Sequence, residues 1–182
     1  MAAERNKGPI LHILRQILYA SSTPSPSSTH LPSHCSIFEV GSGPLATHAR
    51  HFARGLENCL IQPSEACQRI VDCINTALVQ QPSDKVLPAI KYEIGVDDLP
   101  SPFDFDIVYL ANAIHFMPEQ QGKRLFQDLG KSFRGDSVVI YGPFMRNGEF
   151  LTESDRDFDS NYLKGTMGGG RGLRDVESQK RA

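Results

Sequence analysis

A turn with two glycines follows the first candidate strand of this chain. The strand SIFEV (36–40) continues into Gly41-Ser42-Gly43, and a helix is predicted to begin near Pro44. Glycine has no Cβ, so the backbone can turn tightly there and approach a ligand closely. Such a turn binds nucleotide-like molecules in doubly wound sheets, but many tight turns use glycine for structural reasons alone. The pattern by itself leaves both interpretations open.

Polar side chains follow three further strands at positions where a protein interior would favour apolar ones. Glu65 follows the second strand, Glu93 lies at the end of the third, and Asn112 follows the fourth. An open α/β sheet binds its ligand outside the carboxyl ends of its strands, so these groups are expected at one edge. A carboxylate at position 65 could accept two hydrogen bonds from a ribose diol. Stabilisation of the following helix N-terminus is the alternative for Glu65.

Candidate groups for proton transfer are His48, His51, His115 and Tyr141. Only His115 lies on the loop after the fourth strand, and Tyr141 ends the fifth strand. Either could act as a general base, although a single histidine is often purely structural. No catalytic triad is evident, and neither a P-loop nor a complete G-x-G-x-x-G is present. No metal site is predicted, because the four cysteines lack C-x-x-C spacing.

Short apolar runs alternate with helix-period stretches from residue 36 onward. The candidate strands are 36–40, 59–62, 89–94, 105–111 and 137–142, and the helical stretches cover about 45–56, 67–78 and the residues after Pro118. This alternation predicts βαβ units and a mainly parallel sheet with helices on both faces, a Rossmann-like α/β fold.

The ends of the chain differ from this central pattern. An amphipathic helix is predicted over 10–18, with Pro9 in its first turn, and the Ser/Pro-rich residues 21–34 are expected to form a flexible loop. Cys67 and Cys73 are expected as buried thiols of a later helix. Residues 145–182 are predicted to be irregular, with no strand pair, within a single domain spanning 1–182.

The composition limits the possible partners. The chain has 182 residues and a formal net charge of -2, so one domain is expected and no electrostatic signature for nucleic acid is present. The charged N-terminus lacks an apolar signal region, and no stretch approaches the roughly 18 apolar residues of a spanning helix. We expect a cytoplasmic protein that acts on a small molecule without membrane contact. The oligomeric state is not indicated.

Seven short blocks, in order along the chain, carry a family resemblance. They are AAERNK (2–7), EVGSG (39–43), H-A-x-x-F-A (48–53), QPS (62–64), N-x-I-H (112–115), YGPF (141–144) and GLRD (172–175). Together they resemble the methyltransferase-like twenty-six family, an uncharacterised family similar to class I S-adenosylmethionine-dependent methyltransferases. The resemblance implies the class I methyltransferase fold and S-adenosyl-L-methionine as cofactor.

The resemblance also implies roles for individual residues. Glu39, Gly41 and Gly43 match the methionine-binding turn of the family. Glu65 falls at the position of the ribose-binding carboxylate. Glu93 aligns with an acidic residue near the adenine, with Asp97 as an alternative. Asn112 would face the sulfonium and the methyl acceptor.

The chain departs from the family pattern at two places. After Gly43 it has Pro44-Leu45, one residue more than the family and without its third glycine, which is expected to weaken cofactor binding. It ends soon after GLRD, so a C-terminally truncated fold without the terminal antiparallel strands is expected. The predicted function is methyl transfer from S-adenosylmethionine to a small-molecule acceptor. The alternative is a methyltransferase-fold scaffold that transfers no methyl group.

Overall fold

A five-stranded parallel sheet forms the centre of the protein in a computed structural model, which describes residues 2–21 and 34–179. Its strands are β1 (Cys35–Val40), β2 (Cys59–Glu65), β3 (Ile90–Lys91), β4 (Ile107–Ala111) and β5 (Ser137–Tyr141), in the order β3-β2-β1-β4-β5. All pairings in this sheet are parallel. Within the described residues, β3 and β5 are the edges of this sheet, and it contains no antiparallel strand.

Helices cover both faces of the sheet. α1 (Ala2–Ser21), α2 (Thr47–Gly55) and α3 (Gln68–Gln80) pack on one face, and α4 (Glu119–Ser132) packs on the other. The period of two along β1 explains this arrangement, because Ile37 and Phe38 point to opposite faces and are both fully buried. The predicted Rossmann-like α/β fold with helices on both faces is therefore confirmed.

Three local predictions were wrong. β3 has two residues where the sequence suggested six, because the backbone turns at 93–97, where the Asp97 carboxylate accepts the Glu93 N–H at 2.7 Å. α1 begins at Ala2, so Pro9 lies inside the helix and not in its first turn. Cys67 and Cys73 are exposed, because the buried positions of α3 are Val71 and Ile74.

α1 is held to the core by an apolar stripe. Ile10, Leu11 and Leu14 are buried, and Gly55 of α2 lies so close that a Cβ there would be 2.4 Å from a Leu11 methyl group. Residues 22–33, which make up most of the predicted Ser/Pro-rich loop, lie outside the described residues. None of the helices in 2–21 and 34–179 is long and apolar enough to span a membrane.

The C-terminal segment contains regular structure, contrary to the prediction. β6 (Phe144–Arg146), β7 (Glu149–Phe150) and β8 (Arg174–Asp175) form a small sheet in the order β7-β6-β8, and β6 and β7 are antiparallel. Asn147 and Gly148, with φ of 54° and 79°, form the two-residue connection. Asn-Gly is a strong hairpin signal, since both residues tolerate the left-handed conformation. That signal was present in the sequence and was missed.

Two short helical elements connect β7 to β8, namely α5 (Glu153–Asp157) and a π-helix (Phe158–Met167), and α6 (Val176–Gln179) follows β8. The π-helix carries Asp159, whose carboxylate is fully buried and accepts the Leu173 N–H at 2.7 Å. This contact fixes the chain that leads into β8.

Candidate functional site

A cavity of about 330 Å³ opens at the carboxyl edge of the sheet, beside the turn that follows β1. The strand order reverses between β1 and β4, and open α/β sheets bind their ligands at such a switch point. Four of the six predicted cofactor residues line the cavity, namely Gly41, Glu65, Glu93 and Asn112. The structure therefore brings four of the six residues together at one cavity, at the strand ends that the sequence argument singled out. Glu39 and Gly43 lie beside the cavity and do not form its wall.

Close packing makes Gly41 a position where a side chain would not fit. Its φ is 75°, and a Cβ there would lie 3.2 Å from the Cβ of Ala113. The left-handed conformation is strained for other residues, and the close contact would force the two loops apart. The Gly41 and Ser42 N–H groups both donate to the Ser64 carbonyl, at 3.1 and 3.0 Å. The turn is thus fixed to the end of β2.

Glu65 contacts the glycine turn and not the helix that follows it. Its Oε1 accepts the Gly43 N–H at 2.7 Å, and its Oε2 accepts the Ala66 N–H at 3.2 Å. α3 begins three residues later, at Gln68. The half-buried carboxylate is therefore directed to the site by β2 and the turn together.

The two residues after Gly43, which make this loop one residue longer than the family pattern, lie away from the cavity. Pro44 and Leu45 are exposed, and the chain returns to α2 through a tight turn in which the Ala46 N–H donates to the Gly43 carbonyl at 3.0 Å. Ala46 adopts the left-handed conformation, with φ of 43°. The extra residue changes the outer side of the loop and leaves the Gly41 side in place.

The structure distinguishes Glu93 from Asp97 by position. Glu93 lines the cavity, whereas Asp97 accepts a hydrogen bond from the Glu93 N–H and forms an ion pair with Lys91 at 2.7 Å. The Lys91 ammonium lowers the pKa of the Asp97 carboxyl. Asp97 therefore shapes the turn, and Glu93 is the carboxylate that a ligand would meet.

A buried polar cluster lies behind the glycine turn. Glu39 is only 2% exposed, its Oε2 has no hydrogen-bond partner within the described residues, and its Oε1 lies 3.7 Å from His48 Nδ1. Burial raises the pKa of Glu39 to about 7, and the Glu65 carboxylate adds to that rise, whereas a hydrogen bond from Ser42 opposes it. Burial lowers the pKa of His48 to about 4. At pH 7 the Glu39 carboxyl group is therefore close to its pKa, and the His48 imidazole is neutral.

Asn112 has φ of 51°, and its N–H donates to the Tyr141 carbonyl at 2.8 Å, which joins the ends of β4 and β5.

The two predicted catalytic bases, His115 and Tyr141, are not on the cavity wall. His115 is 1% exposed and packs against Phe116 and Phe158, with ring centroids 4.6 and 5.6 Å away. Burial lowers the pKa of His115 to about 4. Tyr141 is 38% exposed at the end of β5.

Sequence reasoning missed the apolar wall of the cavity. Phe116 and Met117 form it, on and just after the single helical turn Ile114–Phe116 that follows β4, and Gln121 of α4 also lines the cavity. Arg171 Nε donates to the Phe116 carbonyl at 2.8 Å, and Arg174 Nη2 donates to the Met117 carbonyl at 2.6 Å. Arg171, just before the sequence block GLRD, and Arg174 within it therefore hold this wall from behind, through contacts with backbone carbonyls that no local pattern indicates.

Comparison with protein families gives a match over the whole chain. The family model described as "Protein of unknown function (DUF938)" matches residues 1–182.

Comparison with solved structures gives methyltransferase folds. "PigF with SAH" has a TM-score of 0.68 at 13% identity and covers 82% of this chain and 44% of its own. An O-methyltransferase family 2 protein from Planctomyces limnophilus, in complex with apigenin, has a TM-score of 0.68 at 12% identity, covering 99% and 53%. The mitomycin 7-O-methyltransferase MmcR has a TM-score of 0.63 at 12% identity, covering 90% and 44%.

These similarities establish the fold. The five-stranded parallel sheet with its flanking helices is the Rossmann-like fold of class I methyltransferases. The chain spans about half the length of the solved structures named above.

Proposed function

This chain belongs to the DUF938 family, and we propose that it is an S-adenosylmethionine-dependent methyltransferase that acts on a small-molecule acceptor in the cytoplasm. The observation that carries the proposal is the cavity at the sheet switch point, bounded by Gly41, Glu65 and Glu93. On the seven sequence blocks, we further assign the chain to the methyltransferase-like twenty-six proteins. One of the proteins with this fold was crystallised with SAH, which supports the choice of cofactor.

Three features of the site fit S-adenosylmethionine. The cavity volume of about 330 Å³ lies within the usual range of about 300–1,000 Å³ for small-molecule sites. Gly41 lines the cavity, and because it has no Cβ its backbone can approach a ligand closely. The unpartnered Glu39 Oε2 is an acceptor for a cationic amine, because buried polar atoms are rarely left without a partner.

In this proposal, each residue contacts a different part of the cofactor. Glu39, Gly41 and Gly43 hold the methionine end, and Glu65 accepts hydrogen bonds from the ribose hydroxyls. Glu93 lies near the adenine, and Asn112 faces the sulfonium. When bound, the cofactor supplies an electrophilic methyl group, so the protein mainly has to position the acceptor in line with it.

His115 and Tyr141 remain the proposed proton acceptors. His115 is neutral at pH 7 because burial holds its pKa near 4, so it has a free lone pair but is a weak base. Tyr141 has the more accessible side chain. A methyl acceptor that loses its proton without help would need neither group. A loss of methyltransferase activity in His115→Asn or in Tyr141→Phe would show which of the two residues accepts the proton.

Glu65 provides the test of the cofactor site. Glu65→Ala is expected to weaken S-adenosylhomocysteine binding by about 1.5–3 kcal/mol, the range for a hydrogen bond to a charged group. Glu65→Gln keeps an acceptor for the Gly43 N–H and removes only the charge, so a smaller loss is expected. Isothermal titration calorimetry measures both.

The matched control is Glu57→Gln. Glu57 is an exposed glutamate just before β2, at the opposite edge of the sheet, and its replacement should leave the affinity unchanged. If the folded Glu65→Ala protein binds as tightly as the wild type, Glu65 only ties the turn to β2 and does not contact the ribose.

A further inference from the structure

A second cavity, of about 440 Å³, lies in the C-terminal segment. Three cationic side chains line it, Lys164 of the π-helix, Arg171 of the loop that follows, and Arg174 of β8. Glu119 at the start of α4 is the acidic residue of its wall. The protein as a whole carries a net charge of -2, so the positive charge at this cavity is a local feature of the C-terminal segment.

The two guanidinium groups donate their hydrogen bonds to backbone carbonyls. Arg174 is 8% exposed and donates to the Met117 carbonyl. Arg171 donates to the carbonyls of Phe116 and Gly168, at 2.8 and 3.2 Å. Across residues 34–179, no carboxylate forms an ion pair with either guanidinium. Buried charges are normally paired, because removing them from water is costly and carbonyls supply no opposite charge.

The neighbouring carboxylates are already neutralised. The buried Asp159 carboxylate pairs with Lys164 at 2.5 Å. Glu119 pairs with Lys123, one helical turn later, at 2.8 Å. Arg171 and Arg174 therefore form no ion pair of their own, although the Glu119 and Asp159 carboxylates lie near enough to Arg174 to oppose the lowering of its pKa by burial.

Three consecutive glycines form the rim of the cavity. Gly168, Gly169 and Gly170 have φ of 58°, 64° and 73°. A Cβ on Gly169 would lie 2.6 Å from Arg171 Nη1, so the glycine allows the guanidinium to fold over the backbone. The N–H groups of Gly169 and Gly170 have no acceptor within the described part of the chain. Backbone N–H groups beside arginines are recurrent components of phosphate sites.

We propose that this cavity binds a phosphate group, held by Arg171, Arg174 and the glycine rim. A phosphate dianion would neutralise the positive charges of the two guanidinium groups. A planar guanidinium can also donate two parallel hydrogen bonds to phosphate oxygens. The ligand is either free phosphate or a small phosphomonoester. The phosphate cavity shares no lining residue with the proposed cofactor cavity, and phosphate binding can be measured on the protein without cofactor.

The test is calorimetric titration of the full chain with inorganic phosphate at constant ionic strength, with chloride as the reference anion. Saturable binding at one site is expected. Arg171→Gln should weaken it at least tenfold. Gly170→Asp places a carboxylate at the rim, where no atom lies within 4 Å of the new Cβ but the φ of 73° strains any side chain, so Gly170→Asn, which carries the same strain without the charge, is its matched variant. The aspartate should abolish binding and the asparagine should retain it.

A matched control and a second ligand complete the experiment. Arg156→Gln removes an exposed arginine that pairs with Glu153 outside the cavity, and it should bind phosphate as the wild type does. Tighter binding of glycerol phosphate than of inorganic phosphate would identify a phosphomonoester site, and the reverse a site for the free ion. Phosphate effects equal to those of chloride, or unchanged affinity in Arg171→Gln and Gly170→Asp, would overturn the proposal.

Discussion

Replacing Asp159 with alanine is expected to lower the free energy of unfolding by about 2–4 kcal/mol. The carboxylate is fully buried and accepts the Leu173 N–H at 2.7 Å. A hydrogen bond to a charged acceptor contributes about 1.5–3 kcal/mol, and the buried amide would keep no acceptor. Lys164 adds little, because its side chain is 58% exposed and returns to water. Urea denaturation followed by circular dichroism measures the change.

Two further variants separate the contributions at Asp159. Asp159→Asn keeps an acceptor for the Leu173 N–H and should recover part of the loss. Asp157→Ala, at an exposed position of the same helical segment, should change the stability by no more than about 0.5 kcal/mol. Equal stability of the Asp159→Ala and Asp157→Ala proteins would show that the C-terminal segment is not anchored at this carboxylate.

Replacing Glu39 with glutamine is expected to stabilise the ligand-free protein at alkaline pH. Burial raises the pKa of Glu39 from 4.5 to about 7. Its contribution to stability is fully present below pH 4.5 and is lost as the pH rises through 7, because the unfolded chain releases the proton first. The difference of about 2.5 pH units corresponds to about 3 kcal/mol at 1.36 kcal/mol per unit.

The quantity to measure is the difference in unfolding free energy between Glu39→Gln and the wild type from pH 4 to pH 8. It should rise by about 3 kcal/mol over that range. Taking a difference removes most of the titration of His48 and His115, whose pKa values are lowered by burial. Glu57→Gln, at an exposed position, should show no such rise. A pH-independent difference for Glu39→Gln would mean that this carboxyl is not held in its neutral form.

The fold was predictable because its signals are local and repeated. The central residues of β1 and β4 are buried, β4 (Ile107–Ala111) is a continuous apolar run, and helix-period stretches separate the strands. The length of β3 was overestimated, because Tyr92 and Ile94 are buried as strand residues would be. The strand ends before them, and the backbone turns where the Asp97 carboxylate accepts the Glu93 N–H. A buried segment has an apolar sequence pattern whether or not its backbone forms the hydrogen bonds of a β-sheet.

The site was predictable only where polar residues follow strands. Gly41, Glu65, Glu93 and Asn112 lie after four parallel strands, and parallel strands bring their carboxyl ends together. Phe116 and Met117 could not be recognised, because an apolar residue in a loop has no chemical signature that separates a ligand wall from core packing.

The contacts behind the wall could not be predicted either. Arg171 and Arg174 reach backbone atoms 55 and 57 residues away. Contacts at such separations depend on how the small second sheet sits on the first, and the hairpin that begins that sheet was itself missed.

Cofactor binding tests the central claim most directly, because a methyltransferase must bind its cofactor and a scaffold with the same fold need not. The measurement is a calorimetric titration of the wild-type chain with S-adenosylhomocysteine, with Gly41→Val as the comparison. We expect saturable binding at one site in the wild type. We expect none in Gly41→Val, because the added side chain would enter the space beside Ala113 at a strained φ of 75°. Absence of binding to the folded wild-type protein at millimolar ligand would contradict the proposal and favour a methyltransferase-fold scaffold without methyl transfer.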